Sequence, residues 1–191
     1  IFSFPDVVGN LAPADLDLGF KPPTGSVLCL DAGAVKGGGF LSFDFDKGRY
    51  TGALQLSIQE VVNVTAIGVI TTKAPDGSEG FSLLLLITAE FTPIQLGFGF
   101  TLNGVGGLIA VNRTMDLQAL RDGVRTGAID NVLFPADPIS RVNQIIHDLE
   151  TIFPQQQQRY AFGLMGKFGW GTPTLITVEL GPELRKPGQV G

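Results

Sequence analysis

The chain is poor in charge. Asp, Glu, Lys and Arg make up 16% of its 191 residues, against about a quarter in an ordinary globular protein. So little charge leaves part of the surface to be covered by neighbouring protein, lipid or other subunits. No block of Lys and Arg occurs, the net charge is -5 and the pI is about 4.8. Nucleic-acid binding needs a basic face and is set aside. An anionic membrane surface is a poor partner for the same reason. The single cysteine, Cys29, makes no internal disulfide and no zinc site. Its apolar run, VLCLDAGA, predicts a buried small hydrophobe. The single histidine, His147, lies beside Asp148, and no G-x-S-x-G elbow exists to build a triad around it. No stretch reaches the ~18 apolar residues of a membrane helix; residues 81–89 (FSLLLLITA) are too short, and Glu90 follows. The chain opens IFSFPDVVGN, without initiator Met, basic n-region or cleavage site. That opening predicts no signal peptide and a piece of a longer protein or a processed product.

What the sequence does contain is period-two patterning. Residues 1–25 carry Pro5, Pro13, Pro22 and Pro23 and read as an irregular arm or linker. From Ser26 onward the pattern alternates. In GFLSFDFD, Leu41, Phe43 and Phe45 face one way and Ser42, Asp44 and Asp46 the other, before a Lys47-Gly48 turn. YTGALQLSI sets Leu54, Leu56 and Ile58 opposite Gln55 and Ser57. Residues 61–71 are β-branched, PDGSEG (75–80) is a turn, and 81–91 and 93–103 read as two strands around Thr92-Pro93. Consecutive strands with short turns predict an antiparallel meander.

The period then changes. Leu117, Leu120 and Val124 predict a short helix over about 115–126. Asp137-Pro138 predicts the start of a longer one, with the stripe Val142, Ile145, Ile146, Leu149, Ile152 and Phe153, ended by Pro154. Strand character returns at Tyr160 and Thr174. The tail 182–191 reads as disordered or linker.

FTPIQLGFGFTLNGVGGLIAVN (91–112) is rich in glycine and uncharged. A phosphate loop needs a Lys after its glycines and a helix after that, and neither follows here. Alternation sets Leu96, Phe98, Phe100 and Leu102 on one face. The glycines fit a strongly curved sheet.

Candidate chemistry is sparse. Asp44 and Asp46 share a face but open no calcium loop. Asp31, Asp44, Asp46, Glu60, Glu90 and Glu179 lie near strands, so a glycosidase carboxylate pair stays open, with Glu60 and Glu90 foremost. Arg113, Arg121, Arg125 and Arg141 interleave with Asp116, Asp122, Asp130 and Asp137, which predicts ion pairs along helix faces or an anionic head-group site. Asn63-Val64-Thr65 and Asn112-Arg113-Thr114 are sequons, relevant only in a eukaryotic secretory setting.

FGFTLNGVGGLIAVNRT, then the helical pair, then FGWGTPTL resembles a family of large β-rich bacterial proteins of unassigned function, over about residues 95–181. The resemblance implies a module of a long chain and carries over no catalytic residue. By fold-level analogy, a curved amphipathic sheet is also similar to the taco-shaped modules of bridge-like lipid carriers.

Together these observations predict an α+β module (26–181): a strongly curved antiparallel meander, half-barrel or taco-like, of about eight strands with a helical hairpin inserted at about 115–153. The function expected first is a non-enzymatic module of a larger bacterial envelope or secreted protein, holding a lipid-like ligand on a concave apolar face. Leu54, Leu56, Ile58, Leu83, Leu85, Ile87, Leu96, Phe98 and Phe100 would line that groove. The long helix is expected against the same concave face, which is either filled by the helices or open to that ligand. No cofactor, metal or nucleic acid is expected. Flanking domains, a lipid-like ligand or further copies are the expected partners. The alternatives are a self-assembling subunit pairing through sheet edges and the arm, and a carbohydrate-active enzyme using strand carboxylates.

Overall fold

A computed structural model of the chain describes residues 25–126, 129, 133–135 and 137–171, and the backbone of 176–180. The expected arm before Gly25, and the tail, lie outside the described residues.

Among the described residues eight strands form one antiparallel sheet whose spatial order is the chain order. They are β1 (Gly25–Ala32), β2 (Val35–Asp44), β3 (Arg49–Ile58), β4 (Val62–Lys73), β5 (Glu79–Gly97), β6 (Phe100–Arg113), β7 (Gln155–Trp170) and β8 (Ile176–Leu180). The sheet is a curved meander and is not closed: β1 and β8 are its two ends. Helices α1 (Leu117–Thr126) and α2 (Val142–Ile152) are inserted between β6 and β7. Among the described residues no helix is long and apolar enough to cross a membrane.

The turns follow local chemistry. Asp44 accepts the Lys47 N–H (3.0 Å), and Gly48, at φ +57, closes the β2–β3 turn. One turn differs from the sequence expectation. Thr92-Pro93 does not end the strand: β5 continues to Gly97, with its register against β6 shifted between Glu90 and Ile94. β4 stops pairing at the Val62–Phe91 position, so Pro93 sits where no neighbour on that side needs its missing N–H. The reversal instead comes at Phe98-Gly99.

Helix α1 starts at Leu117, two residues after the expected start, and ends at Thr126 as expected. Asp116 caps it, its Oδ1 accepting the N–H groups of Gln118 (2.8 Å) and Ala119 (3.0 Å). Helix α2 starts four residues later than the Asp-Pro signal predicts. Asp137 accepts the Ser140 hydroxyl rather than a helix N–H, and residues 137–141 form turns instead. Phe153 and Pro154 end α2 as expected.

The core lies between α2 and one face of the sheet. Val142, Ile145, Ile146, Leu149 and Ile152 pack with Ile67 and Val69 of β4, Leu84 and Leu86 of β5, and Leu108 and Ala110 of β6. The register places these strand residues in two adjacent rows, Ala53–Ile67–Leu86–Leu108 and Val69–Leu84–Ala110–Ala161. An ion cluster ties α2 down at one end. Glu150 meets Arg49 of β3 and, at 3.5 Å, Arg113 of β6, while Arg113 Nη1 donates to the Phe153 carbonyl at 2.9 Å. A cation there also faces the negative end of the helix dipole. Burial pulls the Arg113 guanidinium below its ordinary value, and Glu150 opposes that shift.

Cys29 corrects an expectation: it is exposed and unbridged. It lies on the end strand, on the helix side but beyond the core cluster, so its apolar neighbours in sequence do not bury it.

Candidate functional site: an uncovered apolar face

Successive side chains on a strand point to opposite faces. The core rows therefore alternate with rows facing away from the helices. Reading across the sheet, one such row is Leu28–Gly39–Leu54–Ala66–Ile87–Gly107–Leu164. The next is Ser26–Leu41–Gly52–Gly68–Leu85–Ile109–Phe162. On one side of these lies Leu30–Gly37–Leu56–Val64–Ala89–Val105–Gly166, and on the other Phe43–Tyr50–Ile70–Leu83–Val111–Tyr160. None of these positions carries a charge; Ser26, Tyr50 and Tyr160 supply the only polar side chains.

An antiparallel sheet with one packed face ordinarily shows polar residues on the other. Here the second face is as apolar as the first, and among the described residues no helix lies over it. Leu54 is 40% exposed and Leu164 73%. The glycines in these rows have a packing role. A Cβ on Gly37 would meet Leu56 Cδ2 at 2.8 Å and the Gln55 carbonyl at 2.1 Å, and one on Gly52 would meet Leu41 Cδ2 at 3.0 Å. Large side chains thus lie over neighbouring glycines, giving a low, ridged apolar surface. Part of it forms an open cleft of about 560 Å³, lined by Leu28, Leu41, Phe43, Tyr50, Leu54, Ile70, Leu83 and Leu85 among others.

The structure sorts the predicted groove residues into two sets. Leu54, Leu83 and Leu85 line the cleft, and Leu56, Ile58 and Ile87 share its face. Leu96, Phe98 and Phe100 lie away from it, at the β5–β6 hairpin end. Phe98 occupies the turn itself and is 99% exposed. The expected sharing of one face by helix and groove is also corrected. The stripe of α2 covers the Ile67, Leu84 and Leu108 side, and the cleft lies on the other. The sequence does not reveal this, because Leu83 to Ile87 of β5 are apolar at every position and do not say which half meets the helix.

The polar candidates do not converge. Glu60 lies in the β3–β4 turn at φ +57. Glu90 is paired with Lys167 at 3.3 Å, which also sits over the Phe134 ring at 5.4 Å. His147 is exposed on α2. Arg125 pairs with Asp122 on α1 at 3.3 Å, as helix-face pairing predicts. Asp130 lies outside the described residues. A polar hollow of about 410 Å³ is lined by Lys47, Arg49 and Lys73 with Asp46 and Glu150. Its cations are engaged within the chain, Lys47 with Asp44, Arg49 with Glu150 and Lys73 with the Asp46 carbonyl. Among the described residues no group of three or more His, Cys, Asp or Glu is placed to hold a metal.

No curated protein and no solved structure matches the chain. A family model does, over a span wider than the 95–181 segment that carries the sequence resemblance. The chain belongs to DUF6603, a family of unknown function, whose model matches residues 4–185.

Proposed function

We propose that this chain is a non-enzymatic module that holds a lipid-like ligand against the helix-free face of its sheet. The observation that carries the reading is the run of four register rows without a charged side chain, on the face the helices leave open. Its 560 Å³ cleft lies within the range of small-molecule sites, about 300–1,000 Å³. Tyr50 and Tyr160 place two hydroxyls in the outermost apolar row, where an amphipathic ligand has its polar end. The resemblance to large bacterial proteins supports placing the module in a longer envelope or secreted chain.

The test is native mass spectrometry of protein purified without detergent, followed by solvent extraction. A bound mass that extracts as lipid, and is lost in Leu54→Asp, is the expected result. Leu54 is partly exposed and outside the core cluster, and far-UV circular dichroism checks that the variant folds. Ligand-free protein, or ligand retained in Leu54→Asp, overturns the reading.

Self-assembly is the second reading. It is favoured by β1, which among the described residues is an end strand and displays Val27, Leu28 and Leu30 to solvent. It expects a ladder of bare oligomers in the same spectrum.

A further inference from the structure

Phe98 is the residue least explained by folding. Gly97 pairs with Phe100, so Phe98-Gly99 is a two-residue hairpin turn, and both turn residues have positive φ, +52 and +80. That turn favours Asn-Gly or Gly-Gly. A bulky aromatic in the left-handed region is strained. It is also 99% exposed, so no burial offsets the strain.

The surroundings of the tip are ordered by charge. Glu90, Gly104, Lys167 and Glu179 form one register row across β5, β6, β7 and β8. Beyond that row, residues 91–103 and 168–178 contain no charged residue. An uncharged cap therefore stands on a charged collar. Its exposed residues include Ile94, Leu96 and Phe100 as well as Phe98. Trp170 pairs with Phe100 in register, with its indole N–H side by the turn: a Cβ on Gly99 would lie 3.3 Å from Trp170 Nε1. The Ile94–Leu102 pair sits roughly 13 Å behind the turn at ~3.3 Å per residue, so about two to three residues on each side of the turn span the ~5–10 Å depth reached by interfacial apolar segments.

We propose that the β5–β6 tip is a membrane anchor, with Phe98, Leu96 and Phe100 entering the interfacial layer of a zwitterionic bilayer and Trp170 at the headgroup level. The order of the elements matches the order of the bilayer. Apolar side chains lead, a tryptophan follows where indoles concentrate, and charges stay behind in water. A net charge of -5 selects a zwitterionic rather than an anionic surface. This inference rests on the tip alone and does not require a ligand on the apolar face.

Trp170 is the chain's single tryptophan and reports directly. The full chain is titrated with phosphatidylcholine vesicles, following Trp170 emission and co-flotation. The unaltered chain is expected to float with vesicles, with its emission shifted to the blue. Phe98→Asp and Phe98→Asn lower partitioning about tenfold or more, and Phe98→Leu retains most of it. All three keep the far-UV circular dichroism of the parent, because Phe98 supports no core contact. Val124→Asp, at an exposed position on α1, leaves flotation unchanged. Absence of vesicle binding by the parent, binding that survives Phe98→Asp, or binding lost equally in Val124→Asp overturns the anchor. So does a Phe98-dependent complex with a protein in the absence of vesicle binding, which would make the tip a plug for a protein pocket.

Discussion

Leu84 and Leu85 are neighbours on β5 with the same side chain and opposite surroundings. Leu84 is 1% exposed, between Val69 and Ala110 in register, and belongs to the cluster that includes Ile145 and Leu149 of α2. Truncating it to alanine leaves an enclosed void as well as lost apolar contact, and buried Leu→Ala changes cost about 2.7–5 kcal/mol. Leu85 stands between Gly68 and Ile109, its Cδ1 3.7 Å from where a Gly68 Cβ would be, on the face without a helix. Removing it leaves a dent open to water, so only partial contact is lost, about 1 kcal/mol. The two variants should therefore differ by about 2–4 kcal/mol. With a urea slope of ~2 kcal/mol per molar, that gap moves the unfolding midpoint by about 1–2 M. The assay is urea unfolding followed by circular dichroism at two protein concentrations. Equal losses at both positions would refute the reasoning, because Leu85 would then be as enclosed as Leu84. If the Leu85→Ala loss grew with protein concentration, a second copy would be what encloses it.

Further outcomes follow from the ion cluster and the turns. Glu150→Gln leaves the buried Arg113 without its carboxylate and should cost about 3 kcal/mol. Arg113→Met in the same chain should recover most of that, and a double-mutant cycle measures the coupling. The Asp44 carboxyl is held below its ordinary value of 3.8, first by the backbone N–H of Lys47; Asp76 is held low mainly by the Ser78 hydroxyl and N–H. A depressed carboxylate contributes stability that is complete above the ordinary value and fades as pH falls through the folded one. Asp44→Asn should therefore flatten the acid limb of the stability profile below about pH 4, while leaving the thermal midpoint at pH 7 nearly independent of further alkalinity.

The meander was legible because each β2–β5 hairpin carries its own period-two pattern and turn residues, and such local signals need no tertiary context. The helical insert was legible from the Val142–Phe153 stripe for the same reason. The partition of apolar faces was not. A half-buried strand announces its core by putting polar residues outside, and here the outside rows are Leu, Ile, Val and Gly as well. Nothing in LLLLI distinguishes the half under α2 from the half facing away. The long reach of β5 was hidden by Pro93, which reads as a breaker unless its neighbour strand is known to have ended. The reversal at Phe98 was hidden because a phenylalanine at positive φ contradicts turn preferences. Arg113 read as one of several helix-side arginines, and its burial depends on Glu150 and the Phe153 carbonyl, which only the tertiary fold brings to it.

The strict chain order of the strands also bears on how the sheet is assembled. Every neighbouring pair except one is joined by a short hairpin, so each strand can zip onto the last with little loop-closure entropy. The exception is β6 and β7, separated by residues 114–154 and the whole helical insert. Closing that gap carries the largest loop-closure entropy of any neighbouring pair in the sheet. The β6–β7 pairing is therefore expected to form after the first six strands, an order that pulsed hydrogen exchange during refolding would test.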